Sequence, residues 1–158
     1  NGFSLVRYVL RKRKIKIKKN NFLKKELLRP TKIYVKNILG LTEKQYINGC
    51  ANITGGGLVD NIKRIIPKNL CAEICLSKIK TLKIFKWLKK EGINEKEMLK
   101  TFNCGVGIII IIERNNYERV YNHLKKNKVK FCLLGEIENN TEKLSNVVIR
   151  KFGEWDII

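Results

Sequence analysis

Histidine, proline and acidic residues are all scarce in this sequence of 158 residues, which has one histidine, two prolines and 14 Asp and Glu against 34 Lys and Arg. A structural zinc site needs four closely spaced cysteine or histidine ligands. The only near pair here is Cys71 with Cys75, and the single histidine is His123. Carboxylates close together in the sequence are also rare, which argues against a two-metal centre and against a catalytic carboxylate pair. We therefore expect no metal site on this chain.

Long apolar runs are missing as well. The longest extends from Val106 to Ile112 and contains Gly107, whereas a membrane-spanning helix needs about 20 apolar residues. Residues 1–10 lack the apolar core and cleavage site of a secretory signal. Five cysteines, an odd number without an export signal, are typical of a cytoplasmic protein with reduced thiols. We expect a cytoplasmic protein without a membrane partner and, because the sequence does not begin with methionine, part of a longer product.

The net charge of +20 is the most unusual bulk property. Such an excess can mark a surface that binds nucleic acid or an anionic membrane. However, 26 of the 34 basic residues are lysines spread along the whole sequence, whereas readers of nucleic-acid sequence favour the planar, bidentate arginine side chain. An AT-rich genome also enriches Lys, Ile and Asn. We predict no specific nucleic-acid partner, with a degenerate basic anion-binding module as an alternative.

Hydrophobic periodicity and cap residues divide the chain into helices and strands. Helices are predicted over Ser4–Arg13, from about Pro30 to Thr42, over Leu58–Ile66, from Leu82 to Gly92, from a capping box at Asn94 and Glu97 to Phe102, and from a second capping box at Asn115 and Glu118 to Leu124. Strands are predicted over Tyr46–Ile53, Leu70–Leu76, Cys104–Ile112 (the central strand), Phe131–Ile137 and Val147–Phe152, with Lys12–Asn21 as an exposed loop or edge strand. The pattern predicts one domain over residues 1–158 with an α+β fold, a layered sandwich in which a mixed β-sheet is flanked by helices.

The sharpest local feature is a glycine-rich turn between a predicted strand and a predicted helix. Three consecutive glycines allow positive φ angles and a close approach of the backbone to a ligand. A helix that begins there directs unpaired N–H groups into the turn, which suits a phosphate. A tight structural turn is an equally good interpretation of the glycines alone. The candidate binding residues are Asn52, Thr54, Gly55, Gly56, Gly57 and Asn61.

Two further polar turns are candidates for the same site. Asn103 and Gly105 lie at the mouth of the predicted central strand, where a ligand could approach or where Asn103 could simply bond to its own turn. Asn1, Gly2 and Ser4 lie at the start of the first helix, where a plain helix cap is the simpler interpretation. A nucleophilic role for Cys104 is disfavoured because no histidine is near it in the sequence.

Four sequence blocks, in order and in register, resemble the aminoimidazole ribotide synthetases, which are also called phosphoribosylformylglycinamidine cyclo-ligases. The blocks are NGFSLVRYV at residues 1–9, LLRPTKIYVK at 27–36, ANITGGGLVDNIKRIIP at 51–67 and IFKWLKKEGINEKEMLKTFNCGVGI at 84–108. The resemblance extends from Asn1 to about Phe152. It implies the C-terminal, substrate-side domain of such an enzyme.

The resemblance also implies an activity and partners. The family converts formylglycinamidine ribonucleotide to aminoimidazole ribotide in de novo purine biosynthesis, with release of ADP and phosphate. An N-terminal domain, absent from this chain, would bind ATP and Mg²⁺ and form the homodimer, so this chain alone should be inactive. By resemblance, residues 54–57 would hold the substrate or its phosphate, Asn103 and Gly105 would shape the cleft, and residues 1–4 would lie near the domain junction. The resemblance assigns no catalytic residue.

The sequence departs from the family pattern at two positions, of which Lys63, in place of a proline within a helix, is a mild change. Asn52 replaces the histidine that the family has before the glycine turn, and asparagine cannot titrate or carry positive charge. Enzymes with the same two-domain plan, such as formylglycinamidine ribonucleotide synthetase and selenophosphate synthetase, are the alternatives. The PTKIYVK and TFNCGVG blocks favour the cyclo-ligase.

Overall fold

The computed structural model describes residues 1–141 and 145–151. Its helices are α1 (Phe3–Lys12), α2 (Asn21–Leu27), α3 (Val35–Thr42), α4 (Gly57–Lys63), α5 (Lys83–Lys90), α6 (Glu95–Thr101) and α7 (Tyr117–Lys126). Its strands are β1 (Gly49–Asn52), β2 (Leu70–Cys75), β3 (Ile108–Ile111), β4 (Gly135–Asn139) and β5 (Val147–Arg150). The predicted α+β class is therefore confirmed.

A mixed three-stranded sheet has β2 at its centre, with the order β4-β2-β5. β4 pairs with β2 antiparallel, with Ala72 opposite Ile137, and β5 pairs with it parallel, with Ala72 opposite Val147. Ala72 and Ile74 are buried on the core side because alternate residues of a strand face the same side of the sheet. The mixed sheet that the sequence predicts is present, and β2 matches its predicted range to one residue.

The remaining two strands form a separate antiparallel ribbon, in which Asn52 of β1 is opposite Ile108 of β3. Two sequence predictions are wrong here. The described part of the chain has two sheets rather than one, and β3 is the partner in a two-stranded ribbon rather than a long central strand. The strand begins only at Ile108 because a turn from Asn103 to Val106 precedes it.

Two apolar clusters cover opposite faces of this ribbon. The larger cluster includes buried side chains from α1, α2, α4, α5, α6, β1 and β2 and is joined by Ile109 and Ile111. The smaller cluster consists of Leu41, Val120 and Leu124, with Ile110 and Ile112 packed against it. Because successive strand residues point to opposite faces, the isoleucine run 108–112 supplies both clusters.

Several helix boundaries differ from the prediction. The sequence does not predict α2, which begins at the end of the lysine-rich segment, where the Asn20 side chain caps it by accepting a hydrogen bond from the Leu23 N–H at 3.0 Å. α3 begins at Val35 rather than near Pro30. The Asn94 cap is confirmed, with its side chain accepting from the Glu97 N–H at 2.8 Å. The second predicted capping box is wrong: α7 follows Asn116, which makes no side-chain cap bond.

The last predicted strands are shorter or shifted. β4 begins at Gly135 rather than Phe131, and β5 begins at Val147 as predicted and ends at Arg150. Phe152 lies outside the described residues. None of the helices in the described ranges has the length and apolarity needed to cross a bilayer.

Candidate functional site

The Thr54–Gly57 turn connects β1 to α4 through two residues with positive φ, Gly56 at 93° and Gly57 at 64°. The turn is closed by the N–H of Gly57, which donates to the carbonyl oxygen of Thr54 at 3.1 Å. Gly56 is the N-cap of α4, which begins one residue earlier than predicted and is only seven residues long. Local N–H groups therefore matter more at this turn than an extended helix dipole.

A buried amide fixes the shape of the turn from inside. Asn61 is 4% exposed, and its Nδ2 donates to the carbonyl oxygens of Thr54 at 3.4 Å, Gly55 at 3.2 Å and Gly57 at 2.7 Å. In a trans peptide the C=O and the following N–H point in opposite directions, and no cis peptide occurs in the described chain. Since the carbonyls of Thr54 and Gly55 point towards Asn61, the N–H groups of Gly55 and Gly56 point away from it. Neither of these two N–H groups has a hydrogen-bond partner within the described ranges.

The glycines of the turn are needed for different reasons. A Cβ on Gly57 would lie 1.7 Å from the carbonyl oxygen of Leu99, so glycine at this position lets α4 approach α6. A Cβ on Gly55 would meet no atom within 4 Å, and the φ of Gly55 is not in the positive region. Close packing against α6 explains why residue 57 is a glycine. Packing does not explain the glycine at residue 55, where the backbone is exposed and sterically open.

The second glycine site is also a turn. The side chain of Asn103 accepts a hydrogen bond from the N–H of Gly105 at 3.1 Å, and its carbonyl oxygen accepts from Val106 N–H at 2.8 Å. Gly105 has a φ of 96°, and Cys104 between them has a φ of 55°. The sequence left two interpretations open for Asn103, and the structure shows the second one: Asn103 bonds to its own turn. Gly105 is exposed.

The N-terminal residues lie against this second turn. Gly2 has a φ of 76°, and a Cβ on it would overlap the ring of Phe102 at 2.2 Å. The plain helix cap predicted for residues 1–4 is present: Gly2 is the N-cap of α1, and no side chain makes a cap hydrogen bond there. Asn1 and Ser4 are exposed.

The ribbon and α6 bring the three turns together. The N–H of Ile53, next to Thr54, donates to the carbonyl oxygen of Gly107 at 2.9 Å, which places the first turn beside the end of the second. α6 contacts Gly57 through Leu99 and leads into Phe102, which contacts Gly2. Asn52 lies at the same end of the ribbon, as an exposed residue of β1. The predicted site residues therefore gather at one end of the β1–β3 ribbon.

Comparison with known proteins assigns the family. Residues 1–145 match the family model described as "AIR synthase related protein, C-terminal domain". The chain belongs to this family. It is 39% identical over 145 residues to a phosphoribosylformylglycinamidine cyclo-ligase of Nitrosococcus oceani, in an alignment that covers 89% of this chain and 40% of that protein. The chain thus spans about 40% of the length of this relative.

A solved structure of a second enzyme supports the fold. The thiamine-monophosphate kinase of Stenotrophomonas maltophilia K279a superposes with a TM-score of 0.56 at 13% sequence identity, over 78% of this chain and 37% of that one. At this identity the likeness shows the fold alone. The family match and the cyclo-ligase relative agree with the resemblance that the four sequence blocks predict.

One residue of this AIR synthase related domain was missed as a site candidate. A Cβ on Gly107 would lie 1.9 Å from the hydroxyl oxygen of Tyr34, so Tyr34 lies beside the turns. Burial raises the pKa of Tyr34, and the Lys32 ammonium lies 5.7 Å from its ring centroid. Tyr34 and Lys32 both belong to the PTKIYVK block. That block indicates the family from the sequence, but it does not indicate which of its residues lie at the site.

Charges of both signs border the glycine turn of the domain. The Asp60 carboxylate lies beside Gly56, where a Cβ would be 3.2 Å from its Oδ2. One helical turn later, Arg64 donates to the side-chain oxygen of Asn61 at 3.4 Å. An anion at the turn would therefore meet the outward N–H groups with the Asp60 carboxylate opposing it, while Arg64 lies on the Asn61 side of the turn.

The cysteine and metal candidates add no chemistry to this site. Cys104 is fully buried, and burial, followed by the charge of Glu95, raises the pKa of its thiol well above the usual range. A thiol that stays protonated is a poor nucleophile. Among the residues that the structure describes, no group of three His, Cys, Asp or Glu side chains is placed to hold a metal ion.

Proposed function

We propose that this chain is the C-terminal, substrate-side domain of an ATP-dependent cyclo-ligase that converts formylglycinamidine ribonucleotide to aminoimidazole ribotide with release of ADP and phosphate. The observation that carries the proposal is the 39% identity over 145 residues to a named cyclo-ligase. The thiamine-monophosphate kinase shares only the fold, so it does not favour a second function.

The geometry supports a binding role for the glycine turn. The outward N–H groups of Gly55 and Gly56 can donate to a phosphate oxygen, and the open space at Gly55 lets the phosphate approach the backbone. The Thr54 hydroxyl, in a half-buried residue, lies at the same turn. We assign the phosphorylated end of the substrate to this turn. Asn103, Gly105, Tyr34 and residues 1–4 border it.

Among the described residues, no group of three His, Cys, Asp or Glu side chains could hold Mg²⁺ without ligands from a substrate or another domain. In the proposed enzyme, ATP and Mg²⁺ are bound mainly by an N-terminal domain, which also forms the homodimer. ATP supplies the phosphoryl group that activates the formyl oxygen, and the amidine nitrogen then closes the ring and expels phosphate. The task of this chain is to hold and orient the substrate, the main requirement in phosphoryl transfer.

The activity can be tested on the full-length gene product. Incubation with ATP, Mg²⁺ and formylglycinamidine ribonucleotide should release ADP and form aminoimidazole ribotide in equal amounts. Thiamine monophosphate and selenide serve as alternative substrates in parallel reactions. ADP release with either alternative but not with formylglycinamidine ribonucleotide, or ATP binding without ring closure, would refute the proposal.

Gly55→Ala tests the role of the turn. The added methyl group meets no protein atom, so stability should change by no more than about 0.5 kcal/mol. Alanine keeps the backbone N–H, but its methyl group fills the open space through which the phosphate approaches the turn. A hydrogen bond to a charged phosphate that is lost in this way costs about 1.5–3 kcal/mol, which weakens substrate binding roughly 10- to 150-fold.

Gly92→Ala is the control: a Cβ on Gly92 also meets no atom within 4 Å, and Gly92 follows α5 and belongs to none of the three turns, although its φ of 96° adds a backbone cost that Gly55→Ala lacks. Substrate binding should be unchanged in this variant, as measured by calorimetry. Equal binding by Gly55→Ala and the unmodified enzyme would show that the substrate phosphate binds elsewhere.

A further inference from the structure

A groove between α2 and α5 combines aromatic rings with lysines. It has a volume of about 420 Å³ and is lined by Phe22, Lys83, Lys86, Trp87 and Lys90. Phe22 is 37% exposed, and Trp87 is half-buried. The five lining residues include no acidic side chain, so the groove has an apolar aromatic floor and a positively charged rim.

The groove follows from the two faces of α5. Ile84, Phe85 and Leu88 are buried in the main core. Lys83, Lys86, Trp87 and Lys90 have the spacing i, i+3, i+4 and i+7, which places them along another side of the helix in one stripe. At 1.5 Å per residue the stripe is about 10 Å long. Phe22 from α2 lines the same groove.

The surroundings of the groove are almost free of negative charge. Residues 1–36, which include α1 and α2, carry thirteen Lys and Arg and a single acidic residue, Glu26. Glu26 is paired with Arg29 at 2.6 Å, and Glu91 next to Lys90 is paired with Arg13 at 3.0 Å. Within the described ranges, no carboxylate forms an ion pair with Lys83, Lys86 or Lys90.

We propose that this groove binds single-stranded nucleic acid without sequence specificity, and this proposal does not depend on the proposed enzymatic function. Single-strand sites combine an aromatic surface for stacking a base with cations along the backbone. Trp87 and Phe22 provide the aromatic surface, and the three lysines of the stripe provide the cations for the phosphates of the strand. The sequence argues against base-specific recognition, and lysines that bind phosphates as point charges agree with that.

A single-stranded partner explains why aromatic rings and lysines line the same groove, and the general lysine excess of the chain does not. Scattered lysines alone would bind any polyanion, and they would not require an exposed ring between them. The bases of a duplex are already stacked on each other and cannot enter the groove, so the tryptophan should matter for single strands only. An interfacial membrane site would present a longer apolar face, whereas only two aromatic rings line this groove.

The test uses the full-length gene product and a labelled oligothymidylate of about 12 nucleotides, with fluorescence anisotropy between about 50 and 200 mM salt. Trp87→Leu should weaken single-strand binding roughly 5- to 150-fold, because one stacked base is lost. Trp87→Phe should retain most of the affinity. Both variants should leave binding of a duplex of the same length unchanged.

A triple Lys→Gln variant at Lys83, Lys86 and Lys90 tests the rim. The affinity for a single strand is plotted as its logarithm against the logarithm of the salt concentration. The loss of three phosphate contacts should make the slope of this plot shallower by about 2. The matched control is a triple Lys→Gln variant at the exposed residues Lys36, Lys44 and Lys126, at the α3–α7 end of the molecule. It removes the same amount of positive charge. Its slope should stay close to that of the unmodified protein.

Three results would overturn the proposal. The first is an equal loss of affinity in the two triple variants, which would mean that only total charge matters. The second is unchanged single-strand binding by Trp87→Leu in a protein whose unfolding temperature shows that it is folded. The third is a loss of binding to phosphatidylserine vesicles, but not to the oligonucleotide, in the same variant.

Discussion

Gly57 is the position at which the packing of the domain can be tested most directly. Its φ of 64° opposes a side chain, and so does the Leu99 carbonyl oxygen, which would lie 1.7 Å from an added Cβ. An L-residue in the left-handed region costs about 1–2 kcal/mol. Overpacking of a close backbone contact adds about 1–3 kcal/mol. Gly57→Ala should therefore lower the free energy of unfolding by about 2–5 kcal/mol, much of the total for a small domain.

Two other glycines separate these contributions. Gly92 has a φ of 96° with no atom near a Cβ, so Gly92→Ala should show only the backbone contribution, about 1–2 kcal/mol. Gly55 has neither a positive φ nor a neighbour, so Gly55→Ala should be within about 0.5 kcal/mol of the unmodified chain.

Urea denaturation of the 158-residue chain, followed by circular dichroism, measures the series. The expected order of destabilisation is Gly57→Ala, then Gly92→Ala, then Gly55→Ala. If Gly57→Ala is no less stable than Gly92→Ala, the close approach of α4 to α6 does not contribute as described, and the steric account of the turn is wrong.

Two further predictions concern buried and half-buried groups. Asn61→Leu leaves the inward carbonyls of the turn without their donor and should destabilise the chain by about 1–3 kcal/mol; an unchanged urea midpoint would contradict this. A hydrogen bond from Ser77, with smaller contributions from nearby lysines, lowers the pKa of Cys75, whereas burial raises that of Cys104. A lower pKa means more thiolate at neutral pH, so iodoacetamide should label Cys75 early and Cys104 last, as followed by mass spectrometry. Labelling of both at the same rate in the folded protein would refute the assignment.

Local signals predict the structure well where one dominant force acts. β2 is predictable because Ala72 and Ile74 alternate with less buried neighbours, and α6 is predictable because Asn94 caps it. The family is recognisable because four blocks match in register, and the match over residues 1–145 confirms it. The α+β class follows from the order of these elements.

Predictions fail where a local preference competes with tertiary contacts. Residues 104–112 have the composition of a long central strand, but Gly105 and the Asn103 turn delay β3 to Ile108. α2 is rich in lysine, a composition that favours a loop, and the burial of a single leucine, Leu23, is what anchors it as a helix.

The site was only partly accessible from the sequence. The glycine turn, Asn103 and residues 1–4 could be selected because glycine and polar turns are visible as local patterns. The contact of Tyr34 with Gly107 joins residues 73 positions apart, and no local pattern reports such a contact. The division of roles between Gly55 and Gly57 depends on the position of α6, which cannot be read from local sequence.

The hydrogen bonds from Asn61 to the turn also reduce the entropy cost of binding a ligand there. Three successive glycines have more conformational freedom to lose than any other tripeptide, and a loop of that composition would normally be ordered by its ligand. Here the side chain of the following helix orders the loop during folding. An anion that reaches Gly55 and Gly56 therefore meets a rigid, preorganised receptor, so little of its binding energy is spent on freezing the backbone.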